Sequence, residues 1–176
     1  MAKKKASPEE ISARICNDVR VLVNAHLCDG LDVETTKHAL QHVLRLWGIS
    51  NARNRYRDCK NWSKAALAKF KEDGTTSGLI CDHVVPIKLF LDSLIKGSFS
   101  KIDWTNEELE KLLDKYLVTA VVTKEENRLF KGSLQQCMPN GEKLEDLTSP
   151  KQIWSRYGFA GIKMASAREV AALQSR

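Results

Sequence analysis

The chain has 176 residues, with 28 Lys and Arg against 22 Asp and Glu, a net charge of +6 and a pI of about 9.1. The 43% hydrophobic and 28% charged residues exclude a fibre or a disordered tail. No uncharged stretch is long enough to cross a bilayer, and the opening Met-Ala-Lys-Lys-Lys precedes no apolar secretion signal. We therefore expect a cytoplasmic protein of one domain, with or without a small appended lobe.

Helix signals dominate the first half of the chain. Ser7-Pro8-Glu9-Glu10 combines a Ser cap, a Pro in the first turn and a Glu three residues after the cap, and Asp29-Gly30 ends the predicted helix. A second helix is predicted from about Asp32 to Gly48 and a third over residues 63–71.

The second half mixes strand and helix signals. A strand is predicted over residues 79–85, a helix over 87–95, a helix that Thr105 opens with Glu108, and a second strand over 117–122. Thr123 then opens a helix that runs to about Phe130, and one or two helices follow Pro150. The expected fold is α+β and mostly helical, with a small antiparallel β-hairpin plus helix and flanking helices.

The whole positive excess lies in one segment, residues 51–71, which we call the basic segment. It nets +6, and Tyr56, Trp62 and Phe70 stand between its charges. Basic side chains with interleaved aromatics favour a phosphate backbone as partner, although a solvated charged face has the same composition. The residues expected to contact nucleic acid here are Arg53, Arg55, Arg57, Lys60 and Lys64.

Three of the four histidines fit structural positions. His38 and His42 have the i, i+4 spacing of a metal pair but lie opposite the apolar stripe of their helix, which favours an exposed polar face. His26 lies on the apolar stripe of the first helix, which favours a hydrogen-bonded, partly buried ring.

His83 has a different setting, directly after Asp82 at the end of a predicted strand. Neighbouring strand residues point to opposite faces, but the backbone at a strand end can bend so that both side chains line one pocket. A carboxylate can then hold a hard cation while a neutral imidazole takes a proton from water.

The stretch Asp82-His83-Val84-Val85-Pro86 resembles the opening of the motif in the HNH, or ββα-metal, endonucleases. This resemblance implies a hairpin followed by a helix, with Asp82 as first metal ligand, His83 as general base and Asn127 as the metal ligand on the helix. Arg128, one position further, is a candidate phosphate contact. The residue that orients the base would be Asn106 or Asn127. If it is Asn127, the second metal ligand would be Glu126 or a residue near Gln135.

Short pieces on both sides of the motif resemble a group of small bacterial and phage HNH-type proteins. They are Asn61-Trp62-Ser63-Lys64-Ala65-Ala66-Leu67, Cys137-Met138-Pro139, Trp154-Ser155-Arg156-Tyr157 and Ala160-Gly161-Ile162. The resemblance implies metal-dependent hydrolysis of phosphodiester bonds, with Mg²⁺ or Mn²⁺ as cofactor, DNA as partner, and neither a membrane nor a small-molecule cofactor.

The expected organisation has three parts: an N-terminal helical region over residues 1–50, an HNH-like nuclease domain over 51–165 with the basic segment at 51–71, and a C-terminal tail over 166–176. Two other function classes stay open. A non-catalytic nucleic-acid-binding protein, such as a phage regulator, would need the basic segment but not Asp82 or His83. An adaptor would need neither metal nor DNA.

Overall fold

A computed structural model of the protein describes residues 6–47, 56 and 59–174. The fold is α+β and mostly helical, with a small antiparallel sheet, as the sequence predicts. In the described part the helices are α1 Pro8–Asp29, α2 Val33–Leu44, α3 Lys64–Asp73, α4 Ile87–Ile95, α5 Asn106–Tyr116, α6 Lys124–Asn127, α7 Pro150–Ile153, α8 Ser155–Phe159 and α9 Ala167–Gln174. Single 3₁₀ turns cover Gly132–Gln135, Pro139–Gly141 and Leu144–Asp146.

Capping boxes fix the starts of α1, α5 and α6. In each, a Ser or Thr hydroxyl accepts from the backbone N–H three residues later, and the Glu at that position accepts from the backbone N–H of the cap. These bonds satisfy amide groups that the first turn of a helix leaves unpaired. The three predicted helix starts are therefore confirmed.

The two strands form a hairpin with a long connection. β1, Leu79–His83, pairs antiparallel with β2, Thr119–Thr123, so that Leu79 faces Thr123 and His83 faces Thr119. The prediction that β1 continues to residue 85 is wrong. Val84 and Val85 turn into the core, where both are fully buried, because the chain must bend there before α4 begins.

Chain segments outside the hairpin continue the sheet beyond β2. Trp62 bridges Val121 in parallel, through hydrogen bonds from Val121 N to Asn61 O (2.8 Å) and from Ser63 N to Val121 O (2.9 Å). Ser63 in turn bridges Met164. β2 therefore lies between β1 and the start of α3, and this arrangement brings the middle of the basic segment to the hairpin.

Two buried clusters hold these elements. The larger one takes side chains from α1, α2, α4 and α5 and from the Ile80–Asp82 face of the hairpin, where Ala120 and Val122 are fully buried. The smaller one packs α3 and α9 against the other face, with Trp62, Leu79, Val121 and Val170. Among the described helices none is long and apolar enough to cross a membrane. The three-part division of the chain stays a prediction.

Candidate functional site

Asp82 lies near the end of β1 and is held from the C-terminal part of the chain. Its Oδ2 accepts hydrogen bonds from Nη2 of Arg156 and from the hydroxyl of Tyr157, the latter at 2.9 Å. Both partners are at least 98% buried and belong to α8. α8 therefore fixes the carboxylate that the sequence analysis named as a metal ligand.

Arg156 joins Asp82 to its neighbour. The same Nη2 also donates to the backbone carbonyl of His83, and Nη1 donates to Leu134 O at 3.1 Å. The guanidinium lies over the ring of Phe130, with Cζ 4.1 Å from the ring centroid. One buried cation thus clamps the end of β1 to the chain that follows α6.

The protonation states of this cluster follow from burial and charge. Burial raises the pKa of the Asp82 carboxyl, and the charge of Arg156 and the hydroxyl of Tyr157 oppose that rise. Burial and the nearby carboxylate raise the pKa of Tyr157 far above its ordinary value, so its hydroxyl stays a donor. At neutral pH we therefore assign a charge-compensated Asp82–Arg156 pair with a neutral Tyr157.

His83 is the last residue of regular strand pairing. Burial, with the charges of Arg45 and Arg156 acting in the same direction, lowers the pKa of its imidazole to about 4. The ring is therefore neutral at physiological pH, the state in which it can accept a proton.

The backbone does not bend between Asp82 and His83. β1 stays regular through His83, and the bend comes only at Val84. Side chains of successive strand residues leave in opposite directions, so the two side chains start on opposite faces of the hairpin.

Asn127 ends α6 and is half-buried. Its carbonyl accepts from Phe130 N at 3.2 Å, and Phe130 is the residue on which Arg156 packs. Among the described residues, no hydrogen bond joins the Asn127 side chain to Asp82 or His83. Asn127 is therefore linked to Arg156 through Phe130.

The alternatives to Asn127 have other roles or positions. Glu126 Oε2 accepts from Thr123 N (3.0 Å) and Ser63 Oγ (2.5 Å), so it caps α6 and ties it to α3. Gln135 is exposed in a 3₁₀ turn. Asn106 begins α5 and accepts a bond from Arg20, on a different part of the molecule from the hairpin end.

The candidate nucleic-acid contacts are only partly described. Arg53, Arg55 and Arg57 lie outside the described residues. Lys60, Lys64 and Arg128 are all exposed. The Ser63–Glu126 hydrogen bond brings the chain near Lys64 and the chain near Arg128 together, since each cation lies within two residues of that contact.

The other histidines are where the sequence predicts. His38 and His42 are exposed on α2. His26 is half-buried, with Nδ1 2.6 Å from Leu31 O. These positions confirm the two predictions about the exposed pair and the hydrogen-bonded ring.

Asp82 and Asn127 carry the oxygen atoms that the resemblance assigns to a divalent ion. Within the described ranges, no group of three or more His, Cys, Asp or Glu residues could hold a metal ion. The side-chain hydrogen bonds from Arg156 and Tyr157 both reach Oδ2 of Asp82. Mg²⁺ is often bound by one or two protein oxygens, with water and substrate phosphate as its remaining ligands.

Comparison with family models, with curated proteins and with solved structures gives no match to this chain.

Proposed function

We propose that the protein is a metal-dependent endonuclease of HNH type that hydrolyses phosphodiester bonds of DNA in the cytoplasm. The observation that carries the proposal is the position of a neutral, half-buried His83 directly after a fixed Asp82, at the end of a strand in a hairpin that a helix follows. A general base must be deprotonated at the pH at which the enzyme works. His83 meets that requirement because its pKa is lowered to about 4.

Each residue has one role in this proposal. His83 takes the proton from a water molecule in line with the scissile bond. Asp82 and Asn127 hold a Mg²⁺ or Mn²⁺ ion, which when bound supplies charge stabilisation to the phosphate. Tyr157 and Arg156 keep the Asp82 carboxylate in place, and Lys60, Lys64, Arg128 and the arginines of the basic segment contact the nucleic-acid backbone.

A second candidate is a non-catalytic nucleic-acid-binding protein. The observation that favours it is the buried Asp82–Arg156 pair, in which the charge of the carboxylate is already compensated. In this role Asp82 and His83 are parts of the fold, and the basic segment performs the binding.

Cleavage of supercoiled plasmid in the presence of Mg²⁺, Mn²⁺ or EDTA separates the two candidates. The endonuclease proposal predicts nicked or linear plasmid with either ion and intact plasmid with EDTA. Plasmid that stays intact under all three conditions, but whose electrophoretic mobility shifts with added protein, would support the binding function and contradict the endonuclease proposal.

Asn127→Ala tests the helical ligand by calorimetry with Mg²⁺. We expect weaker ion binding than in the wild type, whereas Asn106→Ala, the matched change on α5, should leave it unchanged. Full affinity in Asn127→Ala would exclude that residue as a ligand.

A further inference from the structure

A cleft of about 1030 Å³ lies beside the Asp82 cluster and includes neither Asp82 nor His83. One wall comes from α7, Trp154 and α8, and the floor comes from Asn61 and the segment around Met164 that bridges it to the sheet. Its size is at the upper end of pockets that enclose a molecule of drug or nucleotide size.

The wall offers an aromatic surface. Trp154 is half-buried and lines the cleft, and it meets Tyr157 edge to face, with ring centroids 5.3 Å apart. A tryptophan supported at its edge by a buried ring keeps a fixed orientation, which is what stacking against a planar ligand requires.

Unengaged polar groups surround this aromatic surface. Gln152 Oε1 is used in capping α7, while its amide nitrogen has no partner among the described residues. The Asn61 amide nitrogen donates to Thr119 O at 2.9 Å, and its oxygen is without a described partner. The cleft thus presents both a donor and an acceptor, and the edges of nucleobases carry both.

The charges around the cleft favour a phosphate-bearing ligand. Lys151 is exposed and lines it, and the exposed Lys60 and Lys163 adjoin lining residues in the chain. Glu142 is the one acidic residue in the lining, where it accepts a hydrogen bond from Ser155 Oγ at 3.3 Å.

Tyr157 connects the cleft to the proposed site. Tyr157 is one of the residues that line the cleft, and its hydroxyl donates to Asp82. A base in the cleft therefore lies next to the residue that holds Asp82.

We propose that this cleft binds one unstacked nucleotide of a single-stranded nucleic acid, with Trp154 as the stacking surface. The inference rests on the proposal that the protein acts on nucleic acid, and it names the substrate as a single strand or an unpaired region. Paired bases within a duplex are already stacked on their neighbours and cannot occupy the cleft without leaving the helix.

Binding in EDTA tests this inference without cleavage. A fluorescent oligodeoxythymidylate is titrated with the wild type and with Trp154→Leu, and anisotropy gives the affinity. We expect Trp154→Leu to weaken binding by roughly 10-fold or more, because aromatic stacking on a base contributes that much. Trp154→Phe should recover part of the loss.

Phe159→Leu is the matched control, since Phe159 is an aromatic of α8 that is 68% exposed and does not line the cleft. It should bind like the wild type. Equal affinities of Trp154→Leu and the wild type would overturn the inference. The inference would also be overturned if the wild type bound a duplex of the same length as tightly as it binds the single strand. A protein that cuts plasmid but gives either result would refute the cleft proposal and leave the endonuclease proposal intact.

A cross-linking measurement on the wild type covers the case in which Trp154→Leu fails to fold. An oligonucleotide that carries 5-iodouracil is irradiated with the protein, and the modified residue is located by mass spectrometry. An adduct on Trp154 or Tyr157 supports the inference. Adducts confined to residues outside the cleft would contradict it.

Discussion

Asp82 and Arg156 lie 74 positions apart in the chain, and Arg156 donates to both the Asp82 carboxylate and the His83 carbonyl. The side chain of Arg156 is only 3% exposed and that of Asp82 is 21% exposed. The end of β1 therefore depends on α8 for its position. We make two predictions about this contact, a third about His83 and a fourth about the basic segment.

The first concerns stability. Arg156→Met should lower the free energy of unfolding by about 3 kcal/mol or more, because it leaves a largely buried carboxylate without its cation. Lys37→Met is the matched control. It breaks the more exposed Lys37–Asp92 pair, whose distance is 2.6 Å, and should lower the free energy by less than about 1 kcal/mol. If urea denaturation gave the same loss of unfolding free energy for Arg156→Met and Lys37→Met, Arg156 would contribute no more than a surface cation does.

The second concerns the hydroxyl that supports Asp82. Tyr157→Phe should cost about 1.5 kcal/mol in the free energy of unfolding, since it removes a buried donor to a charged acceptor. Tyr116→Phe, a change of equal size at a residue 2% exposed, removes no described hydrogen bond and should stay within about 0.5 kcal/mol. A loss in Tyr116→Phe as large as in Tyr157→Phe would refute this role.

The third concerns the titration of His83, whose pKa we expect near 4 by NMR. In the unfolded chain the pKa of this imidazole is about 6.5. As the pH falls, the unfolded chain therefore takes up the proton before the folded protein does. The His83 contribution to the free energy of unfolding is therefore constant above about pH 6.5 and falls by about 1.4 kcal/mol per pH unit between 6.5 and the folded pKa.

His83→Gln provides the reference for that slope, because Asp82, Arg45 and Arg156 remain in both proteins. The wild type should lose stability more steeply than the variant between pH 6 and about pH 4.5. Parallel stability curves would show that His83 titrates in the folded protein as it does in the unfolded chain.

The fourth concerns the basic segment. Replacement of Arg53, Arg55 and Arg57 by Gln should weaken DNA binding across unrelated sequences. It should also lower the slope of log affinity against log salt by about 0.9 for each lost phosphate contact. Replacement of the exposed Lys88, Lys96 and Lys131 by Gln makes an equal change in net charge elsewhere and should leave the slope unaltered. If both triple variants lower the slope equally, net charge and not this segment governs binding.

Local signals in the sequence predict most of the secondary structure. Ser7 with Glu10, and Thr123 with Glu126, are capping partners three residues apart, so the helix starts can be read from a few adjacent residues. The β-branched run before Thr123 likewise predicts β2, which the structure places at Thr119–Thr123.

The partners of Asp82 leave no such signal. Arg156 and Tyr157 stand in the quartet Trp154-Ser155-Arg156-Tyr157, which contributes to the family resemblance but has no spacing that points to β1. The bridge between Trp62 and Val121 is equally non-local. Contacts across 58 to 75 positions arise from packing of whole elements, and the sequence periods of single elements contain no information about them.

Cleavage by His83→Ala tests the central claim most directly. The variant and the wild type are incubated with supercoiled plasmid and Mg²⁺, with His42→Ala, an exposed histidine on α2, as control. The account predicts that His83→Ala loses cleavage by about 10²-fold or more while it still binds DNA and the metal ion, and that His42→Ala cuts like the wild type. Cleavage by His83→Ala at the wild-type rate would contradict the proposal that His83 is the general base.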